Sequence, residues 1–249
     1  MSQSNKSTPF VQVLDPATGT GTFLVEAIDV IHKTMEARWN KQGYMPLEFQ
    51  RLWNQYVPKH LLPRLYGYEL MMAPYAIAHM KIGLKLAATG YRFKADERTR
   101  VYLTNSLEPP SDDKKQREFE EWAPALAHEA KAVNGIKRNQ CFTVVIGNPP
   151  YSKVSANISE DEHGKPTFIG NLIKDYKFVD GIPLDERNPK WLQDDYVKFI
   201  RFAQWCIANT GMGIIGFITN HGYLDNPTFR GLRRSLLKSL SDIITVQIS

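Results

Sequence analysis

The stretch "VLDPATGTGTFL", residues 13–24, sets the architecture. β-forming residues run into Asp15. Gly19 and Gly21 follow, and then Leu24, Ala27, Ile28, Ile31 and Met35 recur at helical spacing. A strand, a glycine turn and a helix in that order open a parallel α/β sheet. Such a turn lies at the carboxyl edge of the sheet, where nucleotide-like ligands bind. Glycine lets the backbone bend sharply and lets a ligand approach the amides. The dinucleotide fingerprint asks for a third glycine three positions after Gly21. Leu24 stands there, which argues against NAD. A purely structural turn stays open on this motif alone.

Beyond this stretch, short β-like runs alternate with amphipathic helical patterns, as in a doubly wound, mostly parallel sheet. Strands are expected at 10–15, 64–69, 100–105, 142–148, 213–220 and 243–249. Helices are expected with Ile77, Met80, Leu84 and Ala88 on one face, with Tyr196, Phe199, Ile200, Ala203 and Ile207 as a stripe, and with Phe229, Leu232, Leu236 and Leu240 inward. Three segments interrupt the alternation as inserts: 41–63, the charged 106–140, expected helical on a solvated face, and the Gly/Pro/Asn-rich 152–193. A long irregular segment of the last kind is usually functional or ordered by a partner.

The totals agree with one globular core. The chain has 249 residues, 43% hydrophobic and 23% charged, and a net charge of +5. No apolar run is long enough to span a bilayer, and the polar start lacks a signal-peptide core, so a cytoplasmic protein is expected. Cys141 and Cys206 lie in apolar contexts with no zinc-like spacing, and are read as reduced core residues. No metal site is expected.

The second expected strand ends in Glu69, placed to hold the two ribose hydroxyls of an adenosine. The gap from Asp15 is longer than the usual twenty or so residues, which the 41–63 insert explains if it forms an extra helix. A surface glutamate favouring a helix start is the alternative.

The run "CFTVVIGNPPYS" (141–152) carries the second site. A buried strand stops in a rigid polar tip, Asn148-Pro149-Pro150-Tyr151. It should end at the same carboxyl edge, close to the Gly19–Gly21 turn. Two prolines fix the backbone, so that the Asn148 side-chain oxygen and the Pro149 carbonyl form a pair of acceptors. Such a pair suits an amino group with two hydrogens, and Tyr151 offers a face for stacking a planar ring. A proline-rich docking peptide is the alternative, but those occupy exposed segments rather than strand ends.

"DPATGTGTFL" and "GNPPYS" resemble motifs I and IV of γ-type S-adenosylmethionine-dependent N6-adenine DNA methyltransferases. With "GNPPYSKVSAN", "LIKDYKFVDG" and "DDYVKFIRFAQWCIANTGMGIIGFITNHGYLDNPTFRGLRRSLL", nearly the whole chain resembles the methyltransferase region of single-chain type ISP restriction–modification enzymes. The resemblance implies a single catalytic core over 1–249 of the Rossmann-like methyltransferase type, without its closing strand and without the nuclease, helicase and target-recognition domains. It implies that Asp15, Ala17, Thr18, Gly19, Gly21 and Phe23 line the S-adenosylmethionine site and that Glu69 binds the ribose. Asn105 falls where the family commonly has an acid near the cofactor's adenine. Asn148, Pro149, Pro150 and Tyr151 would hold an adenine flipped out of double-stranded DNA. No metal or covalent intermediate is required.

The family's segments before the first strand and after Ile248 would lie outside this chain, so a half-built site with weak cofactor affinity is expected. The remainder of a larger restriction–modification polypeptide would be its partner. The basic residues Arg230, Arg233, Arg234 and Lys238 lie roughly on one helix face, which fits either DNA phosphates or a solvated surface. Two rivals stay open: an amide-N methyltransferase acting on protein glutamine, and a non-catalytic coupling or scaffolding piece.

Overall fold

Asp15 closes strand β1 (Val13–Asp15), and the chain then turns through Gly19 and Gly21 into helix α1 (Thr22–Lys41). The structure, a computed structural model, describes residues 9–94, 97–110, 124–151, 157–184 and 189–246. The fold is α/β, and the chain falls into two compact units. The first comprises the chain up to Ser106 together with Pro110–Gly147, and the second Leu107–Pro109 and Asn148 onward.

In the first unit, α2 (Pro46–Tyr56) follows α1 and passes through a π turn and a 3₁₀ turn into β2 (Leu65–Glu69). Helix α3 (Met72–Ala88), β3 (Arg100–Leu103), α4 (Pro124–Asn139) and β4 (Val144–Gly147) complete it. The strands lie in the order β3-β2-β1-β4. Every pair is parallel, with Val13 opposite both Leu65 and Val144. Because all four run the same way, Asp15, Glu69 and Gly147 end at one edge.

The core of this unit packs Leu24 and Ile28 of α1 and Trp53 of α2 against Ile82 and Leu86 of α3. The 41–63 insert is the extra helix the spacing asked for. Trp53 anchors it, almost fully buried, with its indole N–H donating to Thr89 Oγ1 at 2.8 Å. Helix α3 forms where expected, but its buried positions are Ala78, Ile82 and Leu86, whereas Ile77, Met80 and Leu84 are exposed. This helix is apolar nearly all round, so periodicity alone offered two stripes, and packing against α1 selected the one with small Ala78.

Part of the charged insert, 111–123, lies outside the described residues. Its helical part, α4, is not a wholly solvated face: Val133 and Asn134 are buried, and Glu129 pairs with Arg98.

In the second unit, most of the 152–193 insert has structure. Helix α5 (Phe168–Ile173) buries Ile169 and Ile173, a 3₁₀ turn buries Tyr176, and β5 (Phe178–Val179) pairs antiparallel with β6 (Ile182–Pro183). Helix α6 (Asp195–Thr210) buries the predicted stripe from Tyr196 to Ile207. Strand β7 (Ile214–Phe217), the short α7 (Gly222–Asp225) and α8 (Arg230–Ser239) follow, with Phe229, Leu232 and Leu236 inward.

The expected strand at 243–249 is not formed over its described part. Residues 243–246 join no ladder among the described residues, and Ile244 and Val246 are 88% and 79% exposed. A β-prone run becomes a strand only when another strand satisfies its backbone groups. Residues 247–249 lie outside the described residues.

Candidate functional site

The glycine turn is bound to the end of β2 at three levels. Thr18 N–H donates to the Tyr68 carbonyl at 3.0 Å. Gly19 N–H donates to Glu69 Oε2 at 2.8 Å. Thr18 Oγ1, which donates to the Asp15 carbonyl at 3.0 Å, lies where a Cβ on Gly67 would sit, 2.5 Å away. Glycine in the middle of a buried strand is otherwise unfavourable, and close approach of another segment is its usual reason. Gly67 is therefore part of the turn's seat, and a glycine inside a strand was the available sequence signal for it.

Two glycines in the turn are needed for conformation. Gly19 and Gly21 have φ of +55° and +80°, and a Cβ on Gly21 would come within 3.1 Å of Ala78 Cβ. Gly21 N–H closes the turn on the Thr18 carbonyl at 2.9 Å. Helix α1 then starts without a side-chain cap and without an acid in its first turn.

Asp15 is completely buried. Ala17 N–H donates to its Oδ1 at 3.2 Å, and Oδ2 has no hydrogen-bond partner among the described residues. Burial pushes its carboxyl up to about 7. The Ala17 N–H opposes the rise and nearby Glu69 adds to it. The turn thus holds a buried acceptor that lacks a donor, the kind of group that a bound ligand satisfies. Glu69 lies half-buried beside it, with Oε1 accepting from Met71 N–H at 2.8 Å. Each carboxylate oxygen keeps further lone-pair capacity for a hydroxyl.

Phe23 is half-buried in the first turn of α1, and Asn105 follows β3 at the same sheet edge. The Asn105 carbonyl accepts from Lys137 Nζ at 2.6 Å, and Lys137 also lies over the Tyr68 ring. Ser106 Oγ donates to the Pro16 carbonyl. Asp15, Ala17, Thr18, Gly19, Gly21 and Glu69 thus form one constellation in the first unit, with Asn105 on an adjacent strand end.

The tip begins at Asn148, directly after the last residue of β4. In the second unit, Asn148 and Pro150 are exposed and Pro149 is buried. Tyr151 is half-exposed, and its hydroxyl lies between two acceptors, Asn148 Oδ1 at 2.7 Å and the Ile218 carbonyl at 3.2 Å. Burial raises the pKa of this hydroxyl, which keeps it a donor. The Asn148 oxygen is therefore oriented by Tyr151 and retains a second lone pair.

Around the tip stand aromatic residues, of which Tyr196 and Phe229 were expected only as core. Tyr196 meets the Tyr151 ring edge-on at 6.2 Å and lies 6.4 Å from the rings of both Tyr223 and Phe229. Tyr196 opens α6 beside buried Asp194 and Asp195. Lys198, only 1% exposed, donates to the Asn157 carbonyl, and Asn157 Nδ2 donates to Asp195 Oδ1 at 3.0 Å. The acid pair "DD" before the aromatic stripe was the available signal for this network.

Of the basic cluster, Arg234 and Lys238 share Asp180 at 2.9 Å each, and Arg233 caps the carbonyls of Tyr223 and Asn226. Internal partners thus account for these three. Cys206 is buried, but Cys141 is exposed, against the expectation that both are core residues. Cys141 precedes β4 by three positions, outside the apolar run. Among the described residues no cluster of His, Cys, Asp or Glu could hold a metal ion, and no helix is long and apolar enough to cross a membrane.

Comparison with known proteins adds context to this geometry. Residues 64–248 match the family model of the Eco57I restriction-modification methylase. No curated protein matches the chain. Solved structures similar over nearly the whole chain include the following three. A nuclease-deletion mutant of the Type ISP restriction-modification enzyme LlaGI, in complex with a DNA substrate mimic, aligns with a TM-score of 0.65 and 24% identity over 92% of this chain. The DrdV–DNA complex aligns with a TM-score of 0.59 and 26% identity over 92%. The ATP-dependent Type ISP restriction-modification enzyme LlaBIII bound to DNA aligns with 0.62 and 24% over 91%. The chain spans only 17%, 19% and 14% of the lengths of those three proteins.

Proposed function

The chain belongs to the Eco57I restriction-modification methylase family, and from that premise we propose that it transfers a methyl group from S-adenosylmethionine to the N6 amino group of adenine in DNA, as part of a larger restriction–modification polypeptide. The observation that carries the reading is the pairing of β1 with β4. Neighbouring parallel strands end in Asp15 and in Gly147, one running into the glycine turn and the other directly into Asn148-Pro149-Pro150-Tyr151.

The residues of the turn fit S-adenosylmethionine. Asp15 presents a buried oxygen that lacks a donor among the described residues, Gly19 leaves the backbone open, and Glu69 has capacity for ribose hydroxyls. When bound, the cofactor supplies an electrophilic methyl group on a sulfonium. Asn148 Oδ1, oriented by the Tyr151 hydroxyl, accepts one hydrogen of the adenine amino group, and the Pro149 carbonyl accepts the other. These acceptors draw the nitrogen lone pair out of conjugation and stabilise positive charge as it develops. Tyr151 stacks on the base and offsets part of the few kcal/mol lost on flipping it. In-line orientation of donor and acceptor supplies much of the remaining acceleration.

The test is incubation with methyl-labelled S-adenosylmethionine and either duplex DNA or a glutamine-containing release-factor protein, followed by nucleoside and amino-acid analysis. Label in N6-methyladenine supports the proposal. Label in a protein amide, or no transfer together with no cofactor binding at millimolar concentration, replaces it with one of the two rivals.

A further inference from the structure

A cavity of about 390 Å³ lies at the far end of α1 from the glycine turn, wholly within the first unit. Helix α1 starts beside that turn and runs for 20 residues, about 30 Å. The cavity is lined by Arg38, Trp39 and Gln42 at its C-terminal end, with Tyr56, His60 and Arg64 opposite. Arg64 directly precedes Leu65, the first residue of β2, so the cavity sits at the amino edge of the parallel sheet. None of the groups at the carboxyl edge lines it.

The lining is chemically one-sided. It holds two guanidinium groups, an imidazole, an amide and a phenol, and no carboxylate. Neither Arg38 nor Arg64 forms an ion pair among the described residues. Arg64 Nε is buried and has no hydrogen-bond acceptor among the described residues. A buried donor left in that state is costly, and an anionic acceptor relieves it. The Tyr56 ring lies 5.2 Å from the His60 ring and, with buried Trp39, gives the cavity an aromatic wall. The carboxyl end of a helix attracts cations, and the last turn of α1 carries Arg38 for that reason in part. A half-charge at a helix end does not balance two guanidinium groups.

We propose that this cavity is a phosphate site, in which Arg38 and Arg64 grip the oxygens of a phosphoryl group and the aromatic wall receives the group attached to it. Paired guanidinium forks match phosphate oxygens in shape as well as charge. The volume is that of a small-ligand pocket and accommodates a nucleotide. The same phosphate chemistry could be carried by a free nucleotide or by a nucleic-acid backbone.

The probes are inorganic phosphate, ATP and a short duplex DNA, each titrated at constant ionic strength and followed by NMR of the Trp39 indole and the His60 ring, with calorimetry for affinity. Shifts confined to those two side chains and saturating in the millimolar range or below support the site. ATP binding more tightly than duplex assigns it to a nucleotide, and the reverse assigns it to nucleic acid. R38Q, at an exposed position, should fold and weaken binding roughly tenfold. R64Q should do the same if it folds. D15N should leave this binding unchanged, which separates it from the cofactor reading. Shifts spread over the surface, shifts centred on the glycine turn, or equal affinity in wild type and R38Q would overturn the proposal.

Discussion

The backbone N–H of Gly19 donates to Glu69 Oε2 at 2.8 Å, which ties the first strand's turn to the last residue of the second strand. With Met71 N–H on the other oxygen, one carboxylate holds two backbone segments in place. Glu69 is thus both part of the expected ribose site and the clamp that shapes it. E69A is expected to weaken S-adenosylmethionine binding by about 2–3 kcal/mol, because charge-assisted hydrogen bonds are worth 1.5–3 kcal/mol each. E69Q should lose less, since its amide oxygen can still accept from one N–H. Calorimetry on the two variants measures the difference.

Asp15 makes stability depend on pH. Its folded value, about 7, lies above the ordinary 3.8. The native state is therefore favoured while the carboxyl is protonated. That contribution is complete below about pH 4 and is lost as the pH rises to about 7. It amounts to at most about 4 kcal/mol. Urea titrations across this range should show D15N with a flatter pH profile than wild type in the absence of cofactor. A parallel profile would show that Asp15 stays ionised throughout.

Gly67 and Thr18 should be energetically coupled. A methyl group on Gly67 meets Thr18 Oγ1 at 2.5 Å and Leu24 Cδ1 at 3.0 Å. Overpacking of this kind costs about 1–3 kcal/mol. G67A should destabilise by that amount and weaken cofactor binding, and T18A should restore part of both losses. A double-mutant cycle in chemical denaturation measures the coupling, expected at about 1 kcal/mol.

Tyr151 does two separable things. Its hydroxyl orients Asn148 and its ring offers a stacking face. Y151F keeps the ring and should slow methylation by only a few-fold. Y151A removes both and should lose about 1–3 kcal/mol more, the worth of stacking one base. Single-turnover assays on duplex DNA distinguish the two. Equal rates for Y151F and Y151A would mean that the ring does not stack.

What the sequence made legible is what local chemistry dictates. The strand, glycine turn and helix at 13–24 and the acid at the end of β2 are short-range patterns that form where expected, and the polar tip directly follows β4. What it hid depends on distant partners. Gly67 is explained only by Thr18, forty-nine positions earlier. The stripe that α3 buries was set by α1, and the ladder that 243–246 lacks would have to come from another strand. The aromatic neighbours of Tyr151 and the buried Lys198 network likewise join residues about forty or more positions apart. The basic face of α8 read as a candidate for phosphates because Asp180, its partner, lies some fifty residues away in a two-strand hairpin.

The most direct measurement sets the methylation rate of N148A on duplex DNA beside its affinity for that DNA. The account predicts that the single-turnover rate falls by about 10²–10³, the usual cost of removing one group that stabilises developing charge, while the dissociation constant for DNA changes by no more than about threefold. A rate equal to wild type, or a loss of rate that merely follows a loss of DNA binding, would contradict the assignment of Asn148 as acceptor for the adenine amino group.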